Sequence, residues 1–160
     1  MQRAVKSPLL LEKEYRPMEG TFHYMLMAQQ AMVQKHILRT LKDTGLTMGQ
    51  PKVLEYLMEH DGAEQKEIAA GCHVEAPSLT SILNRMERDG LIERRMLRGN
   101  RRSYHIFVTA KGKEKQQRVA EGFAEVENCA FEGVTEAEKT AFLHTFAILY
   151  ENLQHIGESK

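Results

Sequence analysis

The spacing of apolar residues along the chain predicts a mainly helical protein. Over 18–41, apolar side chains recur every three to four positions, the period of an α-helix with one buried face. The same period continues after Pro51, over 64–70 and over 76–89. Pro51 and Pro77 each fall in a predicted first turn, where a missing N–H group removes no helical hydrogen bond. The first half of the chain is therefore predicted to form four helices joined by short turns.

Polar residues and glycines mark the ends of the predicted helices. Thr47 is followed three residues later by Gln50, and Thr135 by Glu138. Each pair fits a capping box, in which two side chains satisfy free N–H groups at a helix start. Gly90 suits the left-handed cap that ends many helices. The second helix is expected to turn four apolar side chains inward: Val53, Leu54, Leu57 and Met58.

The period changes to a two-residue alternation over 91–97 and 103–108, which predicts two strands. Ile92, Arg94 and Met96 share one side of the first strand. A glycine and an asparagine stand between the strands, and both suit a tight turn. The order of short helix, turn, second helix and hairpin predicts a winged helix-turn-helix.

Two C-terminal helices are predicted, one after Thr109 and one after Thr135. Each carries apolar side chains at alternating spacings of four and three, which suits packing against another helix. The seams consist of Val119, Phe123, Val126 and Ala130, then of Phe142, Phe146, Leu149, Leu153 and Ile156. A small central core cannot cover both seams, so we expect a homodimer. The predicted fold is mainly α with a small β-hairpin wing, and helices from both termini form the dimerisation region.

The net charge of the 160-residue chain is zero, but the charge is unevenly distributed. Residues 1–84 carry a net charge of −1, residues 85–118 carry +7 and residues 119–160 carry −6. Zero net charge excludes a protein that is basic over its whole surface. A charged run is often only a solvated face, but this asymmetry favours one surface built for an anionic partner.

The predicted helix over 76–89 has a polar face with the side chains that read duplex DNA. Serine and threonine bind phosphates or base edges, asparagine suits adenine, and arginine suits guanine. An ordinary amphipathic helix with a solvated face is the alternative, but the basic hairpin beside it favours a role in binding. The candidate DNA-binding residues here are Pro77, Ser78, Thr80, Ser81, Asn84, Arg85 and Arg88.

The tip of the predicted hairpin holds three arginines among five residues: Arg98, Arg101 and Arg102. Arginines on a narrow tip suit the minor groove, where negative potential concentrates. A solvated turn is the alternative, although three arginines in so short a segment make it the weaker one.

The segment 46–112 resembles the MarR family of bacterial transcriptional regulators. The matching motifs are QKEIA over 65–69, SLT over 78–80 and LNRMERDGLI over 83–92. The family's wing signature, Asp-x-Arg followed by Leu-Thr and a glycine, is matched by 100–109 and Gly112. Asn100 replaces the aspartate and Val108 the leucine.

The resemblance implies a homodimer that straddles a pseudo-palindromic operator and usually acts as a repressor. Arg102 then corresponds to the family's wing arginine, and 76–89 to its recognition helix. The domains would be an N-terminal arm and dimerisation helix over 1–45, the winged helix-turn-helix over 46–110 and dimerisation helices over 111–160. Many members release DNA when a small aromatic or phenolic ligand binds between the two regions, and others respond to cysteine oxidation or to metal.

The first predicted helix is rich in methionine. Its residue types suggest a pocket for such an effector, although plain packing in the core would explain the same methionines. The candidates are Arg16, Phe22, Met25, Met32, His36 and Tyr56. Cys72 and Cys129 are expected to be buried, with no disulfide framework, which suits a reducing cytoplasm. The seven histidines show no i, i+4 pair, so we expect no metal site and no cofactor.

Other function classes find little support in the sequence. It contains no glycine-rich phosphate loop, no His-Glu-x-x-His motif and no nucleophile elbow, so we expect no enzyme. No apolar run is long enough to span a membrane. The alternatives that remain are a winged helix that binds protein or RNA, and a regulator that senses oxidation or metal.

Overall fold

The structure of the protein is a computed structural model that describes residues 20–97 and 103–156. These residues form six α-helices and one three-stranded sheet. The helices are α1 (Phe22–Thr40), α2 (Gln50–Glu59), α3 (Gln65–Gly71), α4 (Ala76–Arg88), α5 (Ala110–Ala130) and α6 (Glu136–Gln154). The strands are β1 (Ala63–Glu64), β2 (Ile92–Arg95) and β3 (His105–Val108). None of the described helices has both the length and the apolar character needed to cross a membrane.

The described residues divide into two compact units, one reaching Val126 and the other starting at Glu127. The first unit has an apolar core to which α1–α5, β2 and β3 all contribute. Its fully buried side chains include Leu41, Val53, Leu54, Leu57, Ile68, Leu79, Leu83, Met86, Ile106 and Val119. Three of the four side chains expected inward on α2 are buried. The prediction for Met58 is wrong, because 46% of this residue is exposed.

The first two helices begin differently from their predicted starts. Helix α1 begins at Phe22, directly after Thr21 in an extended conformation, rather than at residue 18. The capping box expected at Thr47 forms only in part. The Gln50 side-chain oxygen accepts the Thr47 backbone N–H at 2.8 Å, but Gly49, with φ of 88°, is the residue that precedes α2. The Thr47 hydroxyl accepts a hydrogen bond from Arg85 of α4.

The predicted end of α4 and start of α5 are both confirmed. Gly90 has φ of 73°, and the N–H groups of Gly90 and Leu91 donate to the carbonyls of Glu87 and Met86 at 3.0 and 2.8 Å. This pair of bonds closes the helix in a Schellman motif. The Thr109 hydroxyl accepts the N–H of Gly112 at 3.0 Å and caps α5.

The hairpin is shorter than predicted and has a third strand. The sheet order is β1-β3-β2, with both pairs antiparallel. Strand β1 is only two residues long and pairs Ala63 with Ile106 and Glu64 with His105. So short a strand carries no period, which is why the apolar pattern did not reveal it.

The second unit contains the last turn of α5 and all of α6. The predicted capping box at its start is confirmed: Thr135 Oγ1 accepts the N–H of Glu138 at 3.3 Å, and the Glu138 carboxylate accepts the N–H of Thr135 at 2.9 Å. No residue of α6 is buried within this single chain. Most of its predicted seam is exposed, and so is Cys129, whose expected burial is therefore not found.

Candidate nucleic-acid interface

Helices α3 and α4 meet through a tight turn that is held by buried and backbone contacts. The Val74 N–H donates to the Ala69 carbonyl at 2.9 Å. His73 lies between them with φ of 49°, a left-handed conformation that is uncommon for a residue with a Cβ. A Cβ on Gly71 would lie 2.1 Å from Cε2 of the Tyr56 ring, so this glycine lets α3 approach α2 closely. The turn thereby fixes α4 relative to the helices before it.

Helix α4 buries one face and presents the other to solvent. Leu79, Leu83 and Met86 are fully buried on the inner face. All the candidates on this helix are exposed on the outer face: Pro77, Ser78, Thr80, Ser81, Asn84, Arg85 and Arg88. The inner contacts therefore decide which side chains α4 offers to a partner.

Three side chains from outside α4 contact its exposed polar residues. The Gln65 amide of α3 donates to Thr80 Oγ1 at 2.6 Å. Arg85 Nη1 donates to the Thr47 hydroxyl at 3.0 Å, so this hydroxyl bonds to α4. Arg94 of β2 reaches Asn84, where Nη2 donates to Oδ1 at 2.8 Å. The outer face of α4 is thus held in place from three directions.

Gln65 and Arg94 are functional candidates that the sequence reasoning missed. Both act through contacts between residues far apart in the chain, which periodicity does not report. The alternation over 91–97 did contain a signal, because it placed Arg94 on the same side of the strand as buried Ile92. A charged residue on the inner side of a strand needs a partner, and its partners are Asn84 and Glu87 of α4.

The base of the wing is joined to β1. Ser103 Oγ donates to Glu64 Oε1 at 2.9 Å, and His105 Nδ1 lies 2.7 Å from the Gly62 carbonyl oxygen. Hydrogen bonds from Lys66 and Ser103 lower the pKa of Glu64, so this carboxylate stays ionised at neutral pH. The predicted tip arginines, Arg98, Arg101 and Arg102, lie outside the described residues.

Positive charge continues beyond α4 into the first turns of α5. Arg88, Lys111 and Lys115 line a cavity of about 470 Å³ together with Asp89. Lys111 Nζ donates to the Asp89 backbone carbonyl at 2.8 Å, and Arg88 Nε lies 3.5 Å from the Asp89 carboxylate. The described part of the basic segment therefore forms a surface next to the end of α4.

A second cavity, of about 460 Å³, lies behind the helix-turn-helix. It is lined by α1, α2 and the turn before α4, with Phe123 of α5, and its surface includes Val33, Ile37, Met48, Lys52, Cys72 and His73. Burial raises the pKa of the Cys72 thiol, which keeps it protonated. A shift of Cys72 or His73 in the lining of this cavity would also shift α4, because both residues belong to the turn that connects α3 to α4.

The residues suggested for an effector pocket lie elsewhere. Phe22, Met25 and Met32 are exposed on α1, and Tyr56 stacks on His60 with ring centroids 4.2 Å apart. His36 Nε2 lies 3.4 Å from Glu125 Oε1. None of these five residues lines the cavity behind the helix-turn-helix. Arg16 lies outside the described residues.

Comparisons with known proteins agree with this arrangement. Residues 46–104 match the model of the MarR family. The transcriptional repressor IacR of Pseudomonas putida is 24% identical over 88% of this chain and 84% of its own length. The homoprotocatechuate degradative operon repressor of Escherichia coli is 29% identical over 64% of this chain and 72% of its own length.

A solved structure with DNA shares the fold. The transcriptional repressor CouR, bound to a 23-mer DNA duplex, is 26% identical to this chain. The match covers 86% of this chain and 99% of that one, with a TM-score of 0.75. The similarity therefore extends beyond the helix-turn-helix to most of the described helices.

Proposed function

We propose that the chain is a member of the MarR family of transcriptional regulators and that it is a cytoplasmic, sequence-specific repressor that binds a pseudo-palindromic operator as a homodimer. The observation that carries the proposal is the exposed polar face of α4, held by Gln65, Thr47 and Arg94 beside a basic surface. A rigid helix with this face suits the major groove, which admits one α-helix. The proposal assigns the chain no catalytic role.

The side chains of α4 and those of the wing are proposed to contact different parts of the DNA. Asn84 and Arg85 are proposed to read base edges, and Ser78, Thr80 and Ser81 to bind phosphates or bases. Pro77 lies in the first turn of α4, where free N–H groups suit a phosphate. Arg88 extends the positive surface. The wing residues Arg98, Arg101 and Arg102 are proposed to enter the minor groove.

The apolar surface of α6 supports the homodimer. Phe142 and Phe146 stack with ring centroids 5.4 Å apart, yet 49% and 38% of these residues remain exposed in the single chain. Exposed apolar side chains on most sides of one helix mark a surface that is buried in an assembly. A second copy of the chain would cover it and would place two recognition helices on one duplex.

The cavity beside Lys52 and Cys72 supports a response to a small molecule. Its lining is mostly apolar, and Lys52 is a cation in it that suits an acidic group on a ligand, next to the carboxylate of Glu55. The similarity to a repressor of an operon that degrades homoprotocatechuate, a phenolic acid, favours an aromatic or phenolic effector. The five described candidates outside this cavity, Phe22, Met25, Met32, His36 and Tyr56, stay a second and weaker set, and Arg16 stays a candidate that lies outside the described residues.

Selection from random nucleic acid tests the proposed function. We expect the protein to enrich duplex DNA with two inverted half-sites whose centres lie about 10 base pairs apart, one turn of the double helix. Random single-stranded RNA and structured RNA serve as competing pools. Enrichment of RNA, or of duplex DNA without any shared sequence, would contradict the proposal.

A further inference from the structure

Arg94 links the wing to the recognition helix. It lies on β2 opposite Ile106 of β3, and only 18% of its side chain is exposed. One arm of the guanidinium pairs with the Glu87 carboxylate, and the other, Nη2, donates to Asn84 Oδ1 at 2.8 Å. Asn84 and Glu87 are three residues apart on α4 and therefore share a face. A planar guanidinium suits such a two-point contact.

This contact decides which way the Asn84 amide faces. A guanidinium has only donors, so the amide atom next to it has to be the acceptor, Oδ1. The amide nitrogen then lies on the other side of the group, with two N–H donors. A flip of the amide would place its N–H groups against a cation that Glu87 holds in position. Asn84 is thereby fixed as a side chain that offers donors.

We propose that Arg94 is a positioning residue that sets the base preference of Asn84, an inference that rests on the DNA binding proposed above. When asparagine reads adenine, Oδ1 accepts from the N6 amine while the amide nitrogen donates to N7. In this protein Oδ1 is shared with a guanidinium, whose charge repels the N6 amine of adenine. Asn84 therefore favours an edge that has only acceptors, which is N7 and O6 of guanine.

The test is selection from random duplex DNA with wild type and Arg94→Met, which keeps the apolar stem and removes the donors. Arg95→Met is the matched control, because Arg95 is the next residue on β2 but pairs with Glu93 and lies over the Phe107 ring. Wild type is expected to select guanine at one position of each half-site. In Arg94→Met the ratio of adenine to guanine there is expected to rise about tenfold. Arg95→Met should leave this ratio unchanged.

Asn84→Ala identifies the position, since it should remove the preference at that base pair. The same preference in wild type and in folded Arg94→Met would overturn the inference, as would a change at positions that Asn84→Ala does not affect. If Arg94→Met fails to fold, Arg94→Gln repeats the test, because glutamine keeps a polar side chain beside Glu87 but removes the charge that repels the N6 amine of adenine. A wild type without any preference for a DNA sequence would overturn the proposed function as well. A wild type that keeps its preference, with the same base preference in Arg94→Met, would overturn only the role proposed for Arg94.

Discussion

Among single residues, the polar side chains of the helix-turn-helix form hydrogen bonds with one another, in addition to the contacts proposed with DNA. Thr47 and Gln50 resemble a capping box in the sequence, but the Thr47 hydroxyl accepts from Arg85 of α4 instead. That bond joins residues 38 positions apart, and no local pattern predicts it. The candidates on the outer face of α4 were predictable from residue type and spacing, whereas the side chains that orient them were not.

Cys72 is expected to react slowly in the folded protein. It is 1% exposed, and burial raises the pKa of its thiol, so little of the reactive thiolate is present at neutral pH. In a Cys129→Ser variant, which leaves Cys72 as the only thiol, maleimide labelling should be much slower in buffer than in urea. Equal rates would contradict the burial and would favour the alternative that Cys72 senses oxidation.

Among helices and strands, capping residues decide where the helices begin and end, and small residues at the contacts decide how closely the elements pack. The end of α4, the start of α5 and the start of α6 were all predictable from Gly90, Thr109 and Thr135, because caps depend on neighbouring residues. Strand β1 was not, since two residues form a strand only through pairing with β3. Met58 was misplaced because the apolar face of α2 is narrower than its sequence pattern.

Gly112→Ala is expected to destabilise the winged domain. A Cβ at Gly112 would lie 2.1 Å from the Leu91 carbonyl oxygen and 2.7 Å from Val108 Cγ1, so α5 would have to move away from the sheet. We expect the free energy of unfolding to fall by about 1–3 kcal/mol. The control is Gly122→Ala on the same helix, where the nearest atom is Thr40 Cγ2 at 3.5 Å. Thermal and urea unfolding measure both variants, and an equal effect of the two would contradict the packing described for Gly112.

The capping box of α6 is expected to make stability depend on acid pH. Hydrogen bonds from the Thr135 side chain and backbone lower the pKa of Glu138, so folding favours the ionised carboxylate. Its contribution is therefore fully present above the ordinary glutamate pKa of about 4.3 and is lost as the pH falls through the lower value of the folded state.

The variant Glu138→Gln tests this dependence, because glutamine keeps the cap without a charge. Thermal unfolding between about pH 3 and 7 should show a smaller loss of stability in acid for Glu138→Gln than for wild type. Glu136→Gln, in the same first turn, is the control and should retain the loss of the wild type. The protein concentration is held constant, since dissociation of an oligomer would also shift the transition. Parallel pH profiles for wild type and Glu138→Gln would contradict the role given to Glu138.

At the scale of the whole molecule, the uneven charge seen in the sequence lies on different elements. The basic segment covers the end of α4, the wing and the start of α5, where Arg88, Lys111 and Lys115 line one cavity. Six of the eight acidic residues after 118 lie on described helices, three on the rest of α5 and three on α6. Zero net charge is therefore compatible with a surface for DNA on one part of the chain and an interface between copies on another.

Phe146→Glu is expected to break the proposed homodimer. The substitution places a charge in the apolar seam of α6, where it would be buried without a partner in the dimer. Thr140→Glu adds the same charge on the opposite side of α6 and serves as the control. Sedimentation should show dimers for wild type and Thr140→Glu, and mainly monomers for Phe146→Glu. A wild-type monomer at micromolar concentration would contradict the dimer and with it the expected pair of half-sites.

The dependence of operator affinity on salt shows whether the protein binds DNA through its basic surface. A dimer that neutralises about 6–10 phosphates should lose about 10³–10⁵ in affinity between about 50 and 200 mM salt. Arg102→Ala should bind more weakly and with a shallower slope, because each wing then brings one cation fewer to the DNA and releases fewer counterions. We therefore expect a steep salt dependence together with a clear preference for the selected operator over a scrambled duplex. An affinity that does not change with salt concentration, or one that is equal for the operator and the scrambled duplex, would show that the protein is not a sequence-specific DNA-binding repressor.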